Sequence, residues 1–273
     1  MRRRTYPTIT NRQQYLLDGV TVFRGVLDLG WIAELNRAVD IVLMHPSPFA
    51  RFHRDMDDPG GFSIDILMHK RLSVFHDLAF DSPATRVAAS ILDAREVVFF
   101  YDQLFVKRPL TKTRTQWHQD LPFWPLAGVD IPSLWISLDH IDQSTSAVRY
   151  AVGSHIGSRP YCAVDYENRE QALADGCDVC PDLDKEVNRE LYELRSYELE
   201  PGDIVVHHPM LIHGANGNSS KSKRRAAVSL RYCGTDVRWF PHADAMVFPG
   251  TEDLVAGTSM KKQSYFKSIT LTG

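Results

Sequence analysis

The sequence lacks a strong charge of either sign and any long apolar run. Its 31 lysines and arginines stand against 34 aspartates and glutamates, which gives a formal net charge of −3. A chain so close to neutrality carries no electrostatic footprint for nucleic acid or an anionic membrane, so we expect neither partner. No run of about 20 apolar residues could span a bilayer. No apolar segment follows the basic residues 2–4, as one would in a secretory signal.

Cysteine is also scarce. The four cysteines, Cys162, Cys177, Cys180 and Cys233, are too few and too scattered for a disulfide framework. We therefore expect a protein of the reducing cytoplasm. Cys177 and Cys180 have the CxxC spacing of zinc sites, but no second pair or nearby histidine pair completes four ligands, so the spacing alone does not predict zinc.

Helical patterns come first along the chain and strand patterns follow. Apolar residues at three- and four-residue spacing predict helices near 13–17, over 28–43 with Asp28 as its cap, and over 82–93, with a strand at 20–23 between the first two. Residues 46–72 are rich in proline, glycine and charge and predict an irregular loop. A charged helix is expected at 182–194. The β-rich runs are 97–107, 133–141, 148–152, 203–207 and 226–232.

Helices followed by strands argue against alternating βα units. We predict a mainly β protein, an antiparallel barrel or sandwich packed against N-terminal helices. No linker or repeat divides the chain, so we expect one domain over 1–273. It would comprise a helical support at about 12–95, a β core at about 97–236 and a C-terminal extension at 237–273. The sequence does not indicate an oligomeric state.

A histidine and a carboxylate stand two residues apart at the edge of a predicted strand. Side chains alternate along a strand, so His118 and Asp120 point to the same face. A second histidine from a distant strand would complete two nitrogens and one oxygen around a metal, the open-sided set of non-haem Fe(II) oxygenases. The candidates for that third ligand are His155, His207, His208 and His213.

A basic cluster at 221–225 follows the last of these histidines. Arg224 lies eleven residues beyond His213, at the start of the next predicted strand. An arginine there could hold the far end of a dicarboxylate cosubstrate, because the guanidinium pairs bidentately with carboxylates. Arg225 takes that role if the register differs by one residue.

Several segments together resemble the phytanoyl-CoA dioxygenase (PhyH) family. The clearest is Trp117–Pro125, WHQDLPFWP, which resembles the iron-binding segment of that family. The resemblance runs in order from about residue 19 to residue 232. Its other segments are 103–109, 135–142, 152–155, 200–203 and 213–226.

The resemblance implies a double-stranded β-helix (jelly roll, cupin-like) core that uses Fe(II), 2-oxoglutarate and O2. His118, Asp120 and His213 match the iron ligands, and Arg224 matches the residue that binds the distal carboxylate of 2-oxoglutarate. Gln103 and Trp135 occupy positions that line the cosubstrate pocket in relatives.

The expected activity is hydroxylation, or a related oxidation, of an unactivated C–H bond in a small-molecule metabolite. It would be coupled to decarboxylation of 2-oxoglutarate to succinate and CO2. Family members that halogenate have a small residue where Asp120 stands, so Asp120 favours hydroxylation. Phe123, Trp124, Arg149 and Tyr150 are candidates to line the substrate pocket. The alternative from another class is a cupin-like protein that binds metal or ligand without turnover.

Overall fold

The structure is a computed structural model that describes residues 9–54, 57–163, 169–174, 176–188 and 190–271. Its α-helices are α1 Ile9–Asp18, α2 Leu29–Met44, α3 Ser73–Phe80, α4 Ala84–Leu92 and α5 Arg169–Ala174. Its strands are β1 Val20–Phe23, β2 Arg51–His53, β3 Phe62–Ile66, β4 Glu96–Lys107, β5 Thr115–His118, β6 Leu126–Ala127, β7 Ser133–Ser137, β8 Val148–Ala151, β9 Leu194–Ser196, β10 Ile204–His207, β11 His213–Ala215, β12 Arg225–Cys233, β13 Arg238–Trp239 and β14 Ser268–Thr270.

Two antiparallel sheets form the body of the protein. The major sheet has the order β1-β10-β7-β12-β4-β3-β2, with β14 paired to β4, and the minor sheet has the order β5-β11-β8-β9. Neighbours in both orders are distant in sequence, as in β12 between β4 and β7. This confirms the predicted mainly β, jelly-roll fold with N-terminal helices.

The helices cover the outer face of the major sheet. In α2 the Asp28 carboxylate accepts a hydrogen bond from the Trp31 amide at 3.1 Å, which caps the first turn. Ile32, Leu35 and Val39 recur on one side of this helix, and all three are buried in the same cluster as the outer-facing residues of β4, β7, β10 and β12.

The inner face of the major sheet packs against the minor sheet. Trp135 and Val205 of the major sheet share a buried cluster with Tyr150 of β8 and Leu211 beside β11. After residue 236 the chain adds β13 and β14 and buries Phe248 and Phe266 in a further cluster with Phe100. Among the residues placed in the structure, no helix is long and apolar enough to cross a membrane.

Three local expectations were wrong. The stretch 46–72 is not all loop, because β3 pairs with β4 over five residues and extends the major sheet. No α-helix forms over the described part of 182–194, where only a turn of 3₁₀-helix at Glu186–Asn188 occurs. Cys162 and Cys177 form a disulfide, although the cysteine count predicted no such framework.

Candidate metal centre

Three ligand-type side chains meet at one end of the minor sheet. His118 ends β5 and His213 begins β11, and the two residues are direct cross-strand partners. Their ring centroids lie 4.2 Å apart. Asp120 follows two residues after His118, and its Oδ1 lies 3.6 Å from His118 Nε2 and 3.8 Å from His213 Nε2. The three ligand atoms all lie within 4.8 Å of one another, a spacing that suits one metal ion.

Backbone carbonyls fix the orientation of both imidazoles. His118 Nδ1 lies 2.7 Å from the carbonyl oxygen of Gln116, and His213 Nδ1 lies 2.9 Å from that of Leu211. A carbonyl oxygen only accepts hydrogen bonds, so each Nδ1 carries the proton. The lone pair of each ring is therefore on Nε2, which faces Asp120 and is the atom that can bind a metal.

The protonation states also suit a divalent cation. Burial alone would raise the pKa of Asp120, but hydrogen bonds from His118 and His207 and the charges of His213 and Arg231 hold that pKa well below its usual value. Burial and the neighbouring His118 and His207 rings lower the pKa of His213 well below its ordinary value. A charged carboxylate and a neutral imidazole are the forms that bind metal. The donor set therefore fits a ferrous ion.

The other candidates for the third ligand lie elsewhere. His207 Nε2 contacts the outer oxygen Oδ2 of Asp120 at 3.2 Å. The Nδ1 of His208 accepts a hydrogen bond from the Met210 amide at 3.1 Å. His155 Nε2 lies 3.2 Å from the carbonyl oxygen of Leu16. Of the four histidines, the structure brings only His213 into the described group of ligand atoms.

A cavity of about 1120 Å³ opens from this centre. Gln103 and Trp135 line it, as the sequence predicted for the cosubstrate pocket, and so do Phe123 and Trp124. Trp124 is also a core residue, since it is 1% exposed and its indole N–H donates to the Tyr101 hydroxyl at 2.9 Å.

The structure places Arg225, and not Arg224, in the cavity. Arg225 is 2% exposed, and its guanidinium lies 5.4 Å from the centre of the Trp135 ring. Arg224 stands just before β12 and turns to the other side, where it binds Asp40 at 3.0 Å and Asp139 at 3.3 Å. The prediction of Arg224 as the cosubstrate arginine is corrected to Arg225, because a shift of one residue along a strand reverses the face.

Arg149 also faces away from the cavity. Its guanidinium forms an ion pair with Asp184 at 2.6 Å and lies 4.7 Å from the Trp117 ring. Its neighbours on β8 point inward: Val148 lines the cavity, and the Tyr150 ring lies 6.1 Å from that of His213. The prediction of Arg149 as a substrate residue is therefore wrong, and Tyr150 lies beside the metal centre instead.

Sequence reasoning missed two parts of the cavity wall. One is the segment around the disulfide, with Tyr161, Cys162 and Cys180, and the other is the C-terminal stretch with Met246 and Glu252. No motif in these segments indicates a site. They reach the cavity only through the folding of loops that are distant in sequence.

Comparison with known proteins adds a family to this geometry. The sequence profile of the family described as Phytanoyl-CoA dioxygenase (PhyH) matches residues 15–226. Human peroxisomal phytanoyl-CoA dioxygenase is 28% identical over 133 residues, which cover 45% of this chain and 34% of that protein. A probable alpha-ketoglutarate-dependent hypophosphite dioxygenase of Stutzerimonas stutzeri is 28% identical over 121 residues, which cover 43% of this chain and 39% of that protein. The match thus spans little more than a third of the length of these relatives.

Solved structures share the fold at low identity. The non-heme alpha ketoglutarate dependent carbocyclase SnoK from nogalamycin biosynthesis superposes with a TM-score of 0.77 at 18% identity, over 97% of both chains. The epimerase SnoN, solved with Fe3+, alpha ketoglutarate and nogalamycin RO, gives a TM-score of 0.74 at 18% identity, over 95% of this chain and 97% of that one. From the profile match over most of its length, the chain belongs to the phytanoyl-CoA dioxygenase family.

Proposed function

We propose that this protein is an Fe(II)- and 2-oxoglutarate-dependent dioxygenase that hydroxylates, or otherwise oxidises, an unactivated C–H bond of a small-molecule metabolite. The observation that carries the proposal is the meeting of His118, Asp120 and His213 at the base of a cavity that also holds the buried Arg225. A site that only bound metal would need neither open coordination positions nor a dicarboxylate clamp.

The protein's own residues would divide the work as follows. His118, Asp120 and His213 hold the iron on one face, which leaves three positions open. Arg225 binds the distal carboxylate of 2-oxoglutarate, with Trp135 and Gln103 beside it. Iron with 2-oxoglutarate and O2 supplies the oxidation, in which 2-oxoglutarate becomes succinate and CO2 and the substrate gains a hydroxyl group or loses hydrogen.

The Arg225 guanidinium is held ready for an anion. Ser146 Oγ accepts a hydrogen bond from Nη2 at 3.2 Å, while the buried Nε has no hydrogen-bond partner among the described residues. Burial lowers the pKa of Arg225 to about 10, so the group remains a cation at neutral pH. A carboxylate in contact with it would supply the missing acceptor, which is why the pairing is favourable.

The cavity favours a small molecule as substrate. Its volume, about 1120 Å³, exceeds what 2-oxoglutarate needs, and aromatic side chains such as Phe123 and Phe105 line it. Asp120 fills the ligand position that would have to be vacant for a halide, so we propose hydroxylation and not halogenation. The relatives named above act on different molecules, and no one substrate carries over from them.

Succinate formation tests this proposal. Metal-free protein is loaded with Fe(II), mixed with 2-oxoglutarate in air, and assayed for succinate. We expect slow turnover without substrate in the wild type, and loss of at least about 100-fold in Asp120→Ala and His213→Ala. His155→Ala is the matched control, because it removes another histidine that was a candidate ligand and should retain activity. An iron-loaded wild type that makes no succinate would favour the non-catalytic cupin-like alternative.

A further inference from the structure

We propose that His207, Ser133 and Arg231 form a positioning row that holds the outer oxygen of Asp120, so that Asp120 binds the metal through Oδ1 alone. The inference rests on the proposed function, since it concerns the same metal centre. The ligand atoms of that centre belong to His118, Asp120 and His213, and the row stands behind them.

The three residues stand side by side across three neighbouring strands. Ser133 on β7 is the direct partner of His207 on β10 and of Arg231 on β12. Direct partners in an antiparallel sheet place their side chains on the same face. All three residues are buried, with exposures of 2%, 0% and 3% for His207, Ser133 and Arg231.

All three side chains converge on Oδ2 of Asp120. Ser133 Oγ donates to this oxygen at 2.9 Å, and His207 Nε2 lies 3.2 Å from it. Because the carboxylate has no proton to donate, His207 Nε2 must carry the hydrogen. Arg231 Nη2 lies 3.9 Å away and adds a positive charge. The inner oxygen Oδ1 faces His118 and His213 instead. The two oxygens of one carboxylate therefore have separate tasks.

The polar atoms of the row are directed to Asp120. In the part of the chain that is described, Ser133 Oγ has its hydrogen bond with Asp120 alone, and Asp120 is the only carboxylate within ion-pair distance of Arg231. Arg231 is held from behind by stacking on Tyr101, whose ring centre lies 4.6 Å from the guanidinium carbon, and on Trp124 at 5.6 Å. The buried Nδ1 of His207 has no partner among the residues placed in the structure, so the hydrogen bond of this ring goes to Asp120.

Single-oxygen binding matters because it sets the number of open positions. Two imidazoles and one carboxylate oxygen leave three of six positions, which is the number that a bidentate cosubstrate and O2 require. A carboxylate bound through both oxygens would take one of them. Groups that hydrogen-bond a ligand from behind fix its orientation, and their loss costs about 10- to 100-fold in metal affinity or activity.

The test uses Co(II) as the probe metal and compares variants that keep or lose a donor. Ser133→Ala deletes the shortest hydrogen bond with little change in volume. Ser229→Ala is the matched control, since Ser229 is two residues from Arg231 on the same strand and its buried hydroxyl has no partner among the described residues. His207→Phe removes the second donor, and His207→Gln replaces it with an amide N–H. The readouts are the visible spectrum of the Co(II)-loaded protein and the Kd of 2-oxoglutarate for it.

We expect Ser133→Ala and His207→Phe each to change the Co(II) spectrum and to raise the Kd of 2-oxoglutarate about tenfold or more. Ser229→Ala should match the wild type, and His207→Gln should recover most of the affinity. Wild-type spectra and affinities in both Ser133→Ala and His207→Phe would overturn the proposal, as would an equal effect of Ser229→Ala. If His207→Phe does not fold, Ser133→Ala decides alone. A wild type that binds neither Co(II) nor 2-oxoglutarate would instead refute the proposed function.

Discussion

At the scale of single residues, adjacent arginines have opposite environments. Arg225 is enclosed in the cavity beside Trp135, whereas Arg224 is paired with Asp40 and Asp139 near α2. We predict that Arg225→Ala raises the Kd of 2-oxoglutarate for the metal-loaded protein about 10- to 100-fold, because it removes a charge-assisted hydrogen bond. Arg224→Ala should change that Kd by less than about twofold. Calorimetric titration measures both, and the reverse ranking would return the clamp to Arg224.

A second residue-scale prediction concerns Asp58, which ties the segment before β3 to the segment before β5. Its carboxylate accepts hydrogen bonds from the amide and hydroxyl of Thr113 at 3.0 and 2.8 Å and from the Gly60 amide at 2.9 Å. Burial raises the pKa of Asp58, but these hydrogen bonds outweigh it and lower the pKa to about 2. The folded pKa is thus below the unfolded value of about 3.9.

The sign of the pH dependence follows from that order. A depressed carboxyl pKa contributes stability above about pH 4, and the contribution is lost as the pH falls towards 2. We expect Asp58→Asn to lower the free energy of unfolding by on the order of 2 kcal/mol at pH 7. The difference from the wild type should shrink between about pH 4 and pH 2. Urea unfolding at neutral pH and near the folded pKa measures it, and a constant difference would contradict this account.

At the scale of elements, the turn before β10 sets the place of His207. Gly202 has φ of +92°, and its carbonyl oxygen accepts hydrogen bonds from the amides of Val26 and Leu27. A Cβ on Gly202 would lie 2.2 Å from the Leu27 carbonyl oxygen. An alanine here therefore meets both backbone strain and a clash with backbone.

We predict that Gly202→Ala lowers the free energy of unfolding by about 3 kcal/mol or more. Gly153 offers the matched control, since its φ is +75° but no described atom lies within 4 Å of the place that a Cβ would take. Gly153→Ala should cost only the conformational strain, about 1 kcal/mol. Chemical unfolding of the two variants decides the matter: equal losses would show that the contact with Leu27 is unimportant.

The disulfide is an element-scale finding with a direct test. Cys162 is linked to Cys177, whereas Cys180 and Cys233 are buried and take no part in a disulfide. Denatured protein kept without reductant should therefore titrate two thiols per chain, and all four cysteines should titrate after reduction. Titration of all four before reduction would return the chain to the sequence-based expectation.

The sequence predicted the elements that have strong periodicity or a distinctive motif. The α2 cap, β1 and the long runs of β4 and β12 could be read from spacing, and the grouping of His118 with Asp120 from strand alternation. The side of the strand on which a residue falls was harder, since Arg224 and Arg225 are adjacent and either suits a carboxylate. The β3 strand lies among glycines and prolines, and it forms because β4 offers an open edge.

Contacts between distant segments could not be predicted from one sequence. His207 was no more than one of several histidines until the pairing of β10 with β7 placed it beside Ser133. The disulfide likewise depends on a loop path that carries no local signal. Tertiary pairing decides such contacts, and it leaves no trace in local spacing.

At the scale of the whole molecule, the two sheets enclose a deep space in which the metal centre and the Arg225 clamp share a wall. The major sheet supplies Arg225 and the row behind Asp120, and the minor sheet supplies His118 and His213. That the chain from 1 to 273 forms a single domain stays a prediction, supported by the packing of Phe248 and Phe266 against β4.

The central claim is that iron and 2-oxoglutarate meet at this site, and one measurement addresses it directly. Metal-free protein is given Fe(II) and then 2-oxoglutarate without oxygen, and the visible metal-to-ligand charge-transfer band is recorded. We predict a band in the wild type that is absent from His213→Ala at the same concentrations. A folded wild type that binds iron but shows no band at saturating 2-oxoglutarate would contradict the account.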